Sequence, residues 1–359
     1  MRLEADIRKD FGEFCLDVHF ASDSGHIGIL GASGCGKSMT LRCIAGILTP
    51  EEGRIVLNGR VLFDSERHIN LKPQQRHVGY LFQNYALFPN MTVEQNIRSG
   101  LHGMRKEAQH ARVQEMIRKF ALNGLEKHFP DQLSGGQQQR TALARIMACS
   151  PDMILLDEPF SALDAYLRDR MQQEILDLLK GYTGIAVLVS HNRDEVYRFS
   201  DDLLILNHGR TDVHGSPEEV FADPHTKAAA VLTGCKNFSS AVRVDDHTVK
   251  AIDWGIILHS SERLPEDFSC LGYRAHDLIP IYGERKENCI SSKHAEESSL
   301  PFEKNFYIPP ENRKDYERED VITWLVQRKD WPILREKGMP DCLQFDMKRM
   351  LYLKDPEVR

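Results

Sequence analysis

The chain has 359 residues, of which 41% are hydrophobic and 28% charged, with a formal net charge of −7. That length is more than one hydrophobic core usually serves, so two domains are expected. The acidic balance argues against a dedicated nucleic-acid binder, which carries a basic stripe, and no apolar run approaches the roughly 18–20 residues that cross a bilayer.

The first ten residues, MRLEADIRKD, carry charge and lack the apolar stretch of a secretory signal. Cysteines stand singly at Cys15, Cys35, Cys43, Cys149, Cys235, Cys270, Cys289 and Cys342, with no Cys-x-x-Cys pair. That pattern suits reduced cytosolic thiols better than a disulfide framework or a zinc site. The apolar run 27–30 reads as a buried strand and leads into a glycine-rich turn and a helical pattern. Residues from about 84 to 145 read as mainly helical. Within them Val113, Met116, Ile117, Phe120 and Ala121 fall at helical spacing, and Asn123-Gly124 offers a stop. Runs 153–156 and 185–189 repeat the order of apolar strand, polar turn and helical pattern. The implied fold is α/β, a mostly parallel sheet covered by helices, with 84–145 as a helical insertion. Ligands of such folds bind beyond the carboxyl ends of the strands. After Gly215-Ser216-Pro217 and Asp223-Pro224 the pattern changes to short alternating segments such as 241–244 and 255–258. Residues 1–235 are therefore expected to form the α/β domain and 236–359 a small, mostly β domain. The charged, proline-containing stretch 282–320 is expected to be loop.

The turn after the first run, Gly31-Ala32-Ser33-Gly34-Cys35-Gly36-Lys37-Ser38, fits G-x-x-x-x-G-K-[ST] between a strand and a helix. Its glycines let successive N–H groups face phosphate oxygens, and the helix N-terminus favours the negative charge. Lys37 is placed to reach the β- and γ-phosphates of a nucleotide, and the Ser38 hydroxyl to ligate Mg²⁺. Asp157 ends a buried strand, where an ionised carboxylate is costly unless a cation or a donor accompanies it. Mg²⁺ between Ser38 and Asp157 would supply that company. Glu158 can orient or deprotonate a water that attacks the γ-phosphate. His191, after the third run, can donate to the γ-phosphate, and Gln83, after 79–82, can contact Mg²⁺ or the water. Without the phosphate loop these residues would read as strand-end caps, an exposed histidine and a turn glutamine. Cys35 is expected to have a lowered pKa from Lys37 and the helix N-terminus; the plainer alternative is a small residue filling space.

These residues, with Leu133-Ser134-Gly135-Gly136-Gln137 and Ser161-Ala162-Leu163-Asp164, resemble in order and spacing the ATP-binding subunits of ABC transporters over about residues 1–235. The fold implied is a P-loop NTPase with a helical insertion. The resemblance implies a head-to-tail dimer, with ATP between one subunit's phosphate loop and the other's Ser134-Gly135-Gly136. It further implies that Glu158 is the catalytic base, His191 its γ-phosphate sensor, and Asp164 a residue communicating across the dimer. Family members stack adenine on an aromatic residue near the end of the first strand; Phe11 matches that place, Phe14 competes, and both can also be core. Met39 stands where threonine is usual, which removes a hydroxyl contact to the α-phosphate and implies weaker nucleotide affinity.

With one motif set and no membrane span, the resemblance implies an ATPase at the cytoplasmic face of the membrane. Its partners would be a second copy of itself and transmembrane permease subunits, with an extracytoplasmic solute-binding protein acting indirectly and no nucleic acid. Tyr85, Leu87, Phe88 and Met91 would offer the permease an apolar groove, or else belong to the core. Gly272-Tyr273-Arg274-Ala275-His276-Asp277 partly resembles a stretch of the small β-barrel (TOBE-like) regulatory domain of bacterial importers. The stretch 232–238 and Ala251-Ile252-Asp253-Trp254-Gly255 resemble molybdate importer ATPases, so uptake of molybdate or tungstate is expected. The alternatives are an importer for sulfate, iron, polyamine or sugar, or a soluble ABC ATPase, which should show tandem ATPase halves or a long coiled-coil insertion.

Overall fold

The computed structural model describes residues 1–101, 103–161, 165–313 and 315–355, the side chains of 165–167 excepted. Its contacts divide the chain into two units, Met1–Pro217 and Glu218–Arg359.

The first unit runs β1 (Leu3–Asp10), β2 (Cys15–Ser22), β3 (His26–Gly31), α1 (Lys37–Ala45), β4 (Glu52–Leu57), β5 (Arg60–Asp64), β6 (Ile69–Asn70), α2 (Pro73–Arg76) and β7 (Val78–Leu81). It continues with α3 (Val93–Arg98), α4 (Lys106–Lys119), α5 (Gly135–Ala148), β8 (Met153–Asp157), α6 (Ala165–Leu179), β9 (Ile185–Ser190), α7 (Arg193–Phe199), β10 (Asp202–Asn207) and β11 (Arg210–Gly215). Among the described residues, eleven strands make one sheet in the order β6-β5-β4-β1-β2-β11-β10-β3-β9-β8-β7. The stretch β10-β3-β9-β8-β7 is parallel, whereas β1 pairs antiparallel with both β2 and β4.

Composition follows this division. β8 and β9 are buried along their whole length, as strands covered on both faces must be. In β1, buried Leu3, Ala5 and Ile7 alternate with exposed Asp6 and Arg8 near its end, the pattern of a sheet with one face in water. The parallel register brings the carboxyl ends of β3, β8 and β9 together, and the turns that follow them carry the expected site. At Gly28 an added Cβ would lie 2.4 Å from Val196 Cγ1 and 2.0 Å from Ser200 Oγ. Glycine there lets α7 press onto β3, which seats the turn that holds His191.

The helical insertion is α3, α4 and α5. Val113, Met116 and Ile117 form the buried stripe of α4, as their spacing predicts. Tyr85 and Leu87 depart from the groove reading: Tyr85 is 5% exposed and Leu87 packs against the same apolar cluster. A left-handed backbone at Tyr85 (φ 60) and Ala86 (φ 43) turns the tyrosine inward, leaving Phe88 and Met91 as the exposed apolar residues of the segment.

Arg76 is a fully buried cation with no acidic partner among the described residues. Its guanidinium donates to the carbonyls of Cys43 and Ile44, each at 2.8 Å, in the last turn of α1. A cation at a helix C-terminus satisfies orphan carbonyls and meets the negative end of the dipole. Gly46 (φ 77) caps α1 beside it, and a Cβ there would come within 2.5 Å of Arg76 Nε.

In the second unit, described strands form three sheets. The largest joins Ile256–His259, Thr248–Ala251, Asn237–Arg243, Cys270–Tyr273 and Leu351–Leu353 in that order. The unit expected over 236–359 extends back to Glu218, because the helix Lys227–Leu232 packs with Cys235, Cys270 and Leu353 through Ala230. Stretch 282–320 is loop only in part; it also contains the short strands Cys289–Ser291, Glu296–Ser299 and Glu303–Ile308. Glu296–Ser299 is an edge strand exposed at every position, so it shows no apolar alternation to read. Trp254 anchors the core, stacked on Phe345 with ring centroids 5.0 Å apart. Among the described residues, no helix is long and apolar enough to cross a membrane.

Arg76→Met leaves α1 carbonyls without donors and is expected to cost about 2–4 kcal/mol. Gly46→Ala, strained at its φ and crowded by Arg76, is expected to act in the same direction. Thermal melts of the full chain check both; unchanged melting temperatures would remove Arg76 as the cap of α1.

Candidate functional site

Gly34 (φ 81) and Gly36 (φ 105) take left-handed conformations that side chains resist, and between them the chain curls at the start of α1. Gly36 also lacks room: a Cβ would come within 2.7 Å of Leu16 Cδ1 and 3.1 Å of Phe14 Cζ. Lys37 is 4% exposed, and its ammonium donates to the carbonyls of Gly31 and Ala32, both at 2.9 Å. A lysine held back along its own loop leaves the cradle of N–H groups open to an anion, which it can then approach.

Asp157, at the end of β8, is 4% exposed. Ser38 Oγ donates to its Oδ1 at 2.7 Å, and the Tyr80 hydroxyl donates to its Oδ2 at 2.7 Å. Burial and the Asp157 charge push the Tyr80 hydroxyl far above its ordinary pKa, so it remains a donor. Tyr80 is a functional residue that sequence reasoning passed over. The signal was its place on β7 beside β8, opposite Leu155 in the parallel register, which only the sheet order reveals.

Glu158 has φ 45, a left-handed conformation uncommon outside glycine. Its N–H donates to the Val189 carbonyl at 3.0 Å, tying the acid to the end of β9. Glu158 Oε1 lies 3.3 Å from His191 Nδ1 and 3.8 Å from Lys37 Nζ. The turn carrying His191 rests on a polar cluster that the sequence did not reveal. Ser190 Oγ accepts from the Asn192 N–H at 2.9 Å and donates to Glu195 Oε2 at 2.5 Å. Burial raises the pKa of Glu195 against the opposing pull of Ser190 and Arg168. Gln83 is exposed, and its amide donates to Ser161 Oγ at 3.1 Å; Ser161 Oγ in turn donates to the Glu158 carbonyl at 2.9 Å. The structure thus sets two groups side by side at the end of β8: Ser38 and Tyr80 on Asp157, and Lys37 and His191 beside Glu158, with Gln83 joined through Ser161. Asp164 lies outside the described residues.

Ser134 caps α5: its Oγ accepts from the Gln137 N–H at 3.4 Å, and Gln137 Oε1 accepts from the Ser134 N–H at 2.9 Å. This reciprocal pair leaves Ser134 and Gly135 exposed at the helix start, with Gly136 buried behind them. Gln139, one turn into α5, donates to the Pro159 carbonyl at 3.1 Å and so ties this helix to the turn after Glu158.

Phe11 is 39% exposed with Lys9 Nζ 5.5 Å from its ring centroid, whereas Phe14 packs against the core beneath Gly36. Phe11 is thus the more exposed of the two rings, its centroid 6.2 Å from that of Phe14. Met39 packs against the same apolar cluster and offers no hydroxyl. Cys35 departs from expectation: it is 6% exposed and its pKa is raised, not lowered. Desolvation of the thiolate outweighs the attraction of Lys37, and Glu158 adds repulsion. Its sulfur fills the space beside Gly31, where a Cβ would come within 2.4 Å.

Tyr80→Phe leaves the buried Asp157 one donor short and is expected to cost about 1.5–3 kcal/mol, read as a lower melting temperature of the ligand-free chain. Cys35 is expected to react with maleimide more slowly than a free thiol at neutral pH and to accelerate only as the pH rises. Mass mapping of the labelled peptide checks this, and fast labelling at pH 7 would contradict the buried, protonated thiol.

With this geometry in place, likeness to known proteins becomes informative. The ABC transporter family profile matches residues 17–161. The chain is 41% identical over 253 residues to the sulfate/thiosulfate import ATP-binding protein CysA 2 of Chromobacterium violaceum, covering 70% of this chain and 67% of that one. It is 40% identical over 237 residues to the Fe(3+) ions import ATP-binding protein FbpC of Haemophilus influenzae, covering 65% and 67%. Among solved structures it is similar to the dimeric ATP-binding cassette MJ0796 bound to ADP and Pi, with a TM-score of 0.51, 27% identity, and coverage of 60% of this chain and 99% of that one. With 41% identity to an import ATP-binding protein of which it covers 67%, and with the family profile matching its α/β unit, the chain belongs to the family of ATP-binding subunits of ABC importers.

Proposed function

We propose that this chain hydrolyses ATP as a head-to-tail dimer at the cytoplasmic face of a membrane, driving import through separate permease subunits. The observation that carries the reading is the group around Asp157 and Glu158, where a phosphate loop, a buried carboxylate and a second acid paired with a histidine converge. Asp157 suits a divalent cation, since among the described residues its two oxygens meet neutral hydroxyls and its negative charge has no buried counterion within hydrogen-bond reach. Ser38, Asp157 and Gln83 would hold Mg²⁺, which supplies charge neutralisation at the β- and γ-phosphates.

The phosphate loop, Gly31 to Ser38 with Met39 behind it, binds the triphosphate through N–H groups and Lys37, and Phe11 stacks on the adenine. Glu158 accepts a proton from the attacking water, and His191, 3.3 Å from Glu158, orients that acid and donates to the γ-phosphate. The exposed N-terminus of α5, with Ser134, Gly135, Gly136 and Gln137, completes the site of a second copy, to which Asp164 also contributes. The dimeric state of the similar cassette MJ0796 supports a dimer.

For the solute, the relatives favour sulfate or thiosulfate, or ferric iron, over molybdate. The molybdate reading rested on the resemblance of 232–238 and of Ala251-Ile252-Asp253-Trp254-Gly255, of which Trp254 is fully buried and stacked on Phe345. A residue that serves packing reports the domain's core, not the transported ion. A sulfate-type oxyanion is the first choice, and the small β unit takes the place of a regulatory domain.

Glu158→Gln is expected to slow hydrolysis by about 10²–10⁴-fold while keeping ATP binding, and to trap an ATP-bound dimer in size-exclusion chromatography. A monomer at saturating ATP would overturn the sandwich. In vesicles holding the cognate permease and binding protein, sulfate or thiosulfate is expected to stimulate ATP hydrolysis where molybdate, Fe³⁺ and spermidine do not. Stimulation by molybdate alone would restore the first expectation.

A further inference from the structure

The second unit holds a cleft of about 680 Å³ between the turn at Ile252–Ile257, the segment at Arg285–Cys289 and the loop at Glu311–Arg313. Its lining carries Lys250, Arg285, Lys286 and Arg313 against a single carboxylate, Glu311. In a chain of net charge −7 this is a local reversal of sign.

The two arginines are engaged. Arg285 Nη2 lies 2.8 Å from Glu311 Oε2, and Arg313 Nη1 lies 3.3 Å from Asp253 Oδ1 and 3.2 Å from Asp320 Oδ2. The ammonium groups of Lys250 and Lys286 have no partner among the described residues.

The walls are set before anything binds. Glu311 Oε1 accepts from the Ser291 N–H at 2.5 Å, and the Glu311 N–H donates to the Trp254 carbonyl at 3.0 Å. The Glu311 carbonyl presses on Gly255 (φ 69), where a Cβ would come within 1.7 Å. Such a frame lowers the ordering cost of a ligand. Beside the cations the surface is apolar: Ile252 is 39% exposed and Ile257 54% exposed. Strand register places Lys250 between Val242, 52% exposed, and Ile257.

We propose that this cleft binds an amphipathic organic anion, a phosphorylated or carboxylated molecule with a short apolar body. Lys250 and Lys286 meet the anionic head, and Ile252 and Ile257 cover the apolar part. The volume lies within the roughly 300–1,000 Å³ of small-molecule sites. The apolar wall separates this ligand class from a bare inorganic oxyanion, which would leave both isoleucines in water.

Calorimetry on the full chain tests this with octyl phosphate below its micelle concentration, octanoate, inorganic phosphate, sulfate and molybdate. Octyl phosphate or octanoate is expected to bind at least about tenfold more tightly than any inorganic ion, the effect of burying a few methylenes. The double variant Lys250→Gln/Lys286→Gln is expected to weaken that binding at least about tenfold. Ile257→Ser is expected to remove the preference for the alkyl chain. All three positions are exposed, and an unchanged near-UV circular dichroism spectrum, which reports the packed Trp254 and Trp324 of this unit, confirms that each variant is folded. Equal binding of alkyl and inorganic anions, binding that ignores the substitutions, or no binding of any probe would overturn the proposal. So would capture of an acidic peptide at this cleft that the alkyl anions fail to displace.

Discussion

A carboxylate at the end of a strand buried on both faces is the constraint on which the rest of the ATP-binding unit depends. Burying that charge without company would cost several kcal/mol, by the usual scale for desolvated ions. Asp157 finds its company in two hydroxyls brought from different places, Ser38 at the start of α1 and Tyr80 on β7. Each demands a particular neighbour in the sheet. β7 must pair with β8, and the phosphate loop must reach the same edge, so sheet order and the chemistry of the site answer to one electrostatic requirement.

The second acid works under a different condition. Glu158 sits in a left-handed backbone conformation, held by its hydrogen bond to the end of β9 and by Ser161 on its own carbonyl. Those bonds keep the carboxylate between Lys37 and His191. The histidine is steadied in turn from behind, by Ser190, Asn192 and the buried Glu195 on α7. Gly28 belongs to the same arrangement, because any side chain there would push α7 off the sheet. A strained residue at the point of chemistry is therefore supported by unstrained, closely packed structure around it.

Legibility in the sequence varied with the range of the interaction. The phosphate loop and the acidic pair are local patterns, in which a few neighbouring residues decide the backbone; the structure puts the loop between β3 and α1 and the acidic pair at the end of β8. Tyr80 and Glu195 were not legible, since each matters through a partner that only the fold brings near. Cys35 was misread for a related reason: the attraction of Lys37 is visible in the sequence, but the desolvation that outweighs it is not. Tyr85 was open between groove and core in the sequence, and two left-handed residues turn it into the core. Within 282–320, Glu296–Ser299 escaped notice because an edge strand exposed on both faces has no apolar rhythm, and Cys289–Ser291 because three residues are too few to show one.

The sequence by itself determined the class of fold, the nucleotide-binding loop, the identity of both acids and the change of architecture toward the carboxyl end. These follow from short-range stereochemistry and from the apolar periodicity of buried strands. Tertiary structure alone decided which hydroxyls share Asp157, which aromatic ring near the loop is the more exposed, and that Trp254 packs a core. It also decided that four cations and two exposed isoleucines, scattered from Lys250 to Arg313, meet around one cleft. Those outcomes depend on charge, burial and contact between residues far apart in the chain, and no window of sequence contains them.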